Sequence, residues 1–133
     1  MSILVLLTAW LSTPAVGARG QDVRLAERFD LGVDQTATIA EESLQVRFDD
    51  IVSDSRCPRG VQCFWQGVAV VRLSIEKPPD ARTALTFRFN STPPPATYGR
   101  YSISVVDVKP YPEENRRHRR EEYVVTVIVT RAE

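Results

Sequence analysis

The stretch Cys63-Phe-Trp-Gln-Gly67-Val-Ala-Val-Val71-Arg-Leu-Ser-Ile75 decides the fold. Its odd positions are Cys63, Trp65, Gly67, Ala69, Val71, Leu73 and Ile75. Gln66, Arg72 and Ser74 fall among the even ones, with Phe64, Val68 and Val70. A two-residue period marks an extended strand, in which alternate side chains point to opposite faces. The odd set is therefore expected to face a core. Gly67 marks a close approach or a bulge that bends the strand.

The same period recurs on either side. Leu44-Gln-Val46-Arg-Phe48 and Leu85-Thr-Phe87-Arg-Phe89 alternate cleanly. Tyr101-Ser-Ile103-Ser-Val105 does so too, but Val106 and Val108 then fall on the other parity. One extra residue at a β-bulge explains such a shift. Tyr123 to Thr130 reads YVVTVIVT and is rich in β-branched residues, so a central strand buried on both faces is expected. Leu25–Leu31 and Gln35–Ala40 are weaker candidates, joined by Gly32-Val33-Asp34. Pro78-Pro79-Asp80, Pro93-Pro94-Pro95, Pro110 and Pro112 interrupt the pattern. No long window shows helical spacing. About seven short antiparallel strands imply an all-β fold, a single immunoglobulin-like β-sandwich, with a small β-barrel as the alternative.

The 133 residues suit one domain, and 43% hydrophobic with 26% charged is ordinary for a globular chain. Seventeen basic residues balance seventeen acidic ones, which gives no electrostatic pull toward nucleic acid or an anionic membrane. All of these charges lie beyond Ala18. The apolar run from Ile3 to Leu11 is broken at Pro14, and Val16-Gly17-Ala18 offers small residues for cleavage. Residues 1–18 therefore read as a signal peptide and 19–133 as the domain, although no Lys or Arg precedes the run. The run falls short of the roughly 20 residues of a membrane span, so none is expected after cleavage. Export to the periplasm or the exterior places Cys57 and Cys63 in an oxidising compartment, where a close pair forms a disulfide. Closing so short a loop contributes about 2–3 kcal/mol.

The segment Asp54-Ser-Arg-Cys57-Pro-Arg-Gly60-Val-Gln-Cys63-Phe-Trp65-Gln-Gly67-Val-Ala69-Val-Val71 is the most specific part of the chain. It resembles a pattern, DSRCPxGVxCxWxGxAxV, of an uncharacterised family of bacterial secreted proteins and lipoproteins. Val108-Lys-Pro110-Tyr111-Pro112 is similar to the same family. The resemblance implies an exported bacterial domain and brings no activity with it. The family's lipid-anchoring cysteine is missing here, which implies a protein free in solution.

In physical terms, Pro58 and Gly60 set a tight turn between the cysteines. Trp65 shares parity with Cys63 and is expected to pack beside the sulfurs. A rigid loop loses little entropy on binding, so Arg56 and Arg59 are candidate partner-binding positions. The Pro93–Tyr98 loop, with Tyr98, is the other candidate.

Other chemistry is thinly represented. The cysteine spacing is C-x5-C rather than the C-x-x-C of redox sites, and zinc wants about four ligands where the chain has two Cys and one His. Asp49, Asp50 and Asp54, with Asp34, are candidate Ca²⁺ carboxylates, although adjacent aspartates on a strand point apart. His118 lies among four arginines flanked by four glutamates, which reads as a solvated hairpin loop and poorly suits a Ser-His-Asp arrangement. No cofactor is implied. The expected function is an exported, non-enzymatic binding or structural domain. It is expected to be a monomer whose partner is an unknown protein or small ligand of the cell envelope. A protease-inhibitor-like module and a Ca²⁺-binding domain are the alternatives.

Overall fold

The computed structural model describes residues 20–91 and 95–132. The segment read as a signal peptide and the centre of the Pro-rich loop lie outside the described residues. In chain order the strands are β1 (Gln21–Val23), β2 (Phe29–Gly32), β3 (Thr36–Ile39), β4 (Leu44–Asp54), β5 (Ala69–Glu76), β6 (Thr83–Phe89), β7 (Ala96–Tyr98), β8 (Tyr101–Lys109) and β9 (Val124–Arg131). They form two sheets, ordered β1-β3-β4-β5-β6 and β2-β9-β8-β7. The sheets pack face to face over a shared core, which makes a sandwich rather than a closed barrel.

Nine strands are described rather than about seven. β1, β2 and β7 have three or four residues each, too few to leave a periodic signal. One pairing also departs from the antiparallel expectation: β1 runs parallel to β3. β2 and β3, joined through Gly32-Val33-Asp34, lie in different sheets. The turn between them carries the chain from one layer to the other and is closed by the Gln35 amide donating to the Gly32 carbonyl at 3.0 Å.

Alternation builds the core. Leu44, Val46 and Phe48 of β4 face inward with Ala69, Val71, Leu73 and Ile75 of β5. Tyr101 and Ile103 of β8 oppose them with Val125, Val127 and Val129 of β9. The expected bulge in β8 is present, as a register shift between Val105 and Asp107, and it returns Val108 to the interior. β9 is central in its sheet, but only one face is fully buried. Val124, Thr126 and Ile128 are half-buried because no third layer covers them. At one end of the sandwich Glu42 clasps the two sheets. Its carboxylate accepts the Tyr101 hydroxyl at 2.6 Å and pairs with Arg131, while Lys77 donates to its carbonyl.

The alternation from Cys63 to Ile75 holds only in its second half, since β5 begins at Ala69. Gly67 is the reason. It adopts φ +73°, outside strand geometry, and resets the phase of everything before it. It also lies against the other arm of the loop, where a Cβ would come within 1.8 Å of the Ser55 carbonyl oxygen. Gly67→Ala is therefore expected to cost about 2 kcal/mol or more in urea denaturation. Gly60→Ala, where φ is +80° but nothing lies within 4 Å, should cost about 1 kcal/mol. Equal costs at the two positions would contradict the close approach.

Candidate binding loop

β4 ends at Asp54, and the loop that follows is organised around that carboxylate. Arg56 turns back onto it, its Nε donating to Oδ1 and one terminal nitrogen to Oδ2, both at 2.8 Å. The guanidinium then reaches the second sheet, donating to the Val108 carbonyl at 2.7 Å and the Pro110 carbonyl at 2.9 Å. Tyr123, just ahead of β9, donates its hydroxyl to Asp54 at 3.3 Å. One ion pair therefore joins the end of β4 to the ends of β8 and β9. Arg56 is only 2% exposed, and a charge so buried is tolerated because a carboxylate and two carbonyls receive it. Arg56 was expected at a partner surface; the structure places it inside. Arg59 stays exposed. Both guanidinium groups lie over the Tyr111 ring, at 5.0 Å for Arg56 and 5.5 Å for Arg59.

Backbone pairing holds the arms of the loop together. The Ser55 amide donates to the Val68 carbonyl at 2.9 Å and the Cys57 amide to the Gln66 carbonyl at 2.8 Å. The Ser55 hydroxyl accepts from the Val68 amide at 3.1 Å. Cys57 and Cys63 form the expected disulfide, with Cα atoms 5.8 Å apart. The Arg59 amide docks the turn onto the Pro112 carbonyl at 3.0 Å.

The tip of this braced loop is apolar and unsheltered. Phe64 is 96% exposed and Trp65 78%, with Val61 also exposed. Trp65 therefore projects into solvent instead of packing toward a core, since the turn at Gly67 breaks the parity it was assigned. The two rings meet edge to face, with centroids 5.8 Å apart and planes at 64°. These exposed rings are the feature of the loop that sequence reasoning missed. The available signal was two adjacent aromatics directly after the second cysteine of a disulfide-closed turn and ahead of Gly67.

The remaining candidates are scattered. Tyr98 is half-buried on edge strand β7 and pairs with Tyr101 at the start of β8. Val108, which Arg56 grips, lies seven residues further along β8, so Tyr98 and the loop are about 20 Å apart at ~3.3 Å per residue. The aspartates are separated by arginines. Asp49 accepts from Arg47 at 3.1 Å and from Ser74, Asp50 accepts from Arg120 at 2.9 Å, and Asp34 accepts from both arginines. Asp54 belongs to Arg56. Among the described residues no three acidic, His or Cys side chains converge as a metal site. A cleft of about 460 Å³ opens between β6 and β7–β8, lined by Phe87, Phe89, Ile103 and Val105 among others. Among the described residues, Arg88 is the one charged side chain in its lining.

His118 departs from the solvated position expected of it. Its side chain is 4% exposed, Nε2 lies 3.2 Å from the Tyr111 carbonyl, and the ring meets Tyr123 edge-on. The connection between β8 and β9 is thus folded down over the same corner that Arg56 occupies.

Comparison of the chain with protein-family models, curated proteins and solved structures finds no match.

Removing one partner of a buried pair leaves the other charge stranded. Arg56→Met is accordingly expected to cost about 3–5 kcal/mol in urea denaturation, and Tyr123→Phe about 1 kcal/mol. A cost for Arg56→Met below that of Tyr123→Phe would contradict the assignment.

Stability should also depend on pH. The hydrogen bond from Arg120 holds Asp34 below its ordinary value of 3.8, and the Arg119 amide holds Glu122 below 4.5. Burial, then the Asp54 carboxylate, pushes the Tyr123 phenol above 10.0. Depressed carboxyls stabilise the fold above their ordinary values and lose that effect as pH falls. A raised phenol stabilises it below its ordinary value and loses that effect as pH rises. The melting temperature is expected to drop gently below about pH 4.5 and again above about pH 10. A melting temperature that rises on acidification would contradict this sign.

Proposed function

We propose that this chain is an exported, non-enzymatic binding domain whose contact element is the disulfide-braced loop from Cys57 to Gly67. The single observation that carries the reading is the exposure of Phe64 and Trp65 on a loop braced at every side. Burying a large apolar ring is worth about 1.5–3 kcal/mol, so a fold that could turn these rings inward would gain by it. Here the buried ion pair, the disulfide and the glycine approach hold them in solvent. Aromatic residues on a rigid support are the usual anchors of an interface, because little conformational freedom is lost when they bind. Arg59, exposed beside the tip, adds one positive charge to the contact surface.

Export is supported by the disulfide, which persists in oxidising compartments, and by the apolar character of residues 3–11. The resemblance to bacterial secreted proteins points the same way. The motif residues that carry that resemblance divide by role. Asp54, Ser55, Arg56 and Gly67 build the base, Cys57 and Cys63 close the loop, and Trp65 is displayed.

In the producing cell, the protein is expected outside the cytosol with Cys57 and Cys63 oxidised. It should be retained by envelope material, and Phe64→Ala/Trp65→Ala should reduce that retention about tenfold without lowering the melting temperature. Co-sedimentation of both proteins with washed envelopes measures this. Equal retention, or cytosolic protein with free thiols, would overturn the reading.

A further inference from the structure

We infer that the occupant of the loop tip is the headgroup–acyl boundary of a lipid bilayer, into which Phe64, Trp65 and Val61 insert. This inference rests on the binding-loop reading and names its partner. Three observations favour a lipid surface over a protein or a glycan.

The first is shape. A ring 96% exposed has almost no neighbour within its own chain, so the tip is convex. Anchors of protein interfaces usually sit within a rim of residues that helps exclude water from them. A surrounding medium that closes on all sides of a wedge supplies that exclusion without a rim. The second is the disposition of the rings. At 64° to one another they share no flat face on which a sugar ring could stack across both.

The third is charge. From Gly60 through Val71 the chain carries no ionisable acid or base. No carboxylate is present there to be desolvated or repelled by phosphate. Arg59 flanks the run, and Gln62 and Gln66 are exposed beside the rings, at the level where polar headgroups would meet them. Tryptophan is favoured at this depth because its ring is apolar and its indole N–H stays wet.

The same geometry limits the depth. Backbone groups at a loop tip need water or headgroup partners, which the hydrocarbon interior does not provide. Insertion is therefore shallow. With a balanced overall charge and one flanking arginine, it depends on apolar area and little on anionic lipid.

The test uses the exported protein processed after Ala18, in which Trp65 is the only tryptophan, with phosphatidylcholine vesicles, with and without one-fifth phosphatidylglycerol. Vesicles with brominated acyl chains should quench Trp65 fluorescence and shift its emission to the blue. Phe64→Ala/Trp65→Ala should lower partitioning about tenfold or more at an unchanged melting temperature. Anionic lipid should change partitioning by less than threefold. Vesicle binding that leaves Trp65 unquenched, or that the double variant retains in full, would overturn the inference, as would binding only to anionic vesicles. If vesicles are not bound but washed envelopes still retain the protein through Phe64 and Trp65, the partner is a protein or glycan, and only the lipid assignment falls. If neither is bound through these residues, the binding-loop reading falls with it.

Discussion

Two charges from one short segment, Asp54 and Arg56, meet in the interior and hold one end of this sandwich together. Asp54 lies at the end of a strand in one sheet, while the carbonyls that Arg56 grips, Val108 and Pro110, close a strand in the other. A guanidinium suits this place because its planar fork serves a carboxylate and two carbonyls at once, where an ammonium would act as a single point charge. Apolar contact between the sheets supplies most of the stability, but it is non-directional. The ion pair supplies direction. It fixes where the chain leaves β4 and hence where the next ten residues point.

The loop inherits that direction through successive constraints. Ser55 and Cys57 pair with Val68 and Gln66, Gly67 lets the two arms touch, and the disulfide closes the turn beyond them. From the other side Tyr111, Pro112 and His118 pack down as the β8–β9 connection folds over the corner. Each device acts on a backbone that would otherwise sample many conformations. Together they present Phe64 and Trp65 as a preorganised tip, which is the condition under which exposed rings bind without a large ordering cost.

Much of the fold was legible because a strand with one buried face must alternate. Leu44, Val46 and Phe48 announce β4, and the parity change after Val105 announces a bulge at the residue where one occurs. The partition of strands between sheets was not legible, since Leu31 and Thr36 carry no mark of the layer they join. The site was read less well, and for a definite reason. Alternation predicts facing only while the backbone stays extended, and Gly67 ends that condition between Trp65 and Ala69. Arg56 looked available because its neighbours in sequence are turn residues. Beyond Asp54, its partners lie 52 and 54 residues away, a separation at which one sequence carries no signal. His118 was misjudged by the same logic, from the charges beside it rather than the tyrosines that fold against it.

The central claim is that the aromatic tip is held rigid by its base. Backbone amide order parameters for residues 57–67, measured by ¹⁵N relaxation in the oxidised protein, address it directly. The account predicts values at Phe64 and Trp65 close to those of β4 and β5, about 0.8 or higher. Values of about 0.6 or lower at the tip, with the strands rigid, would show a freely moving loop and contradict the account.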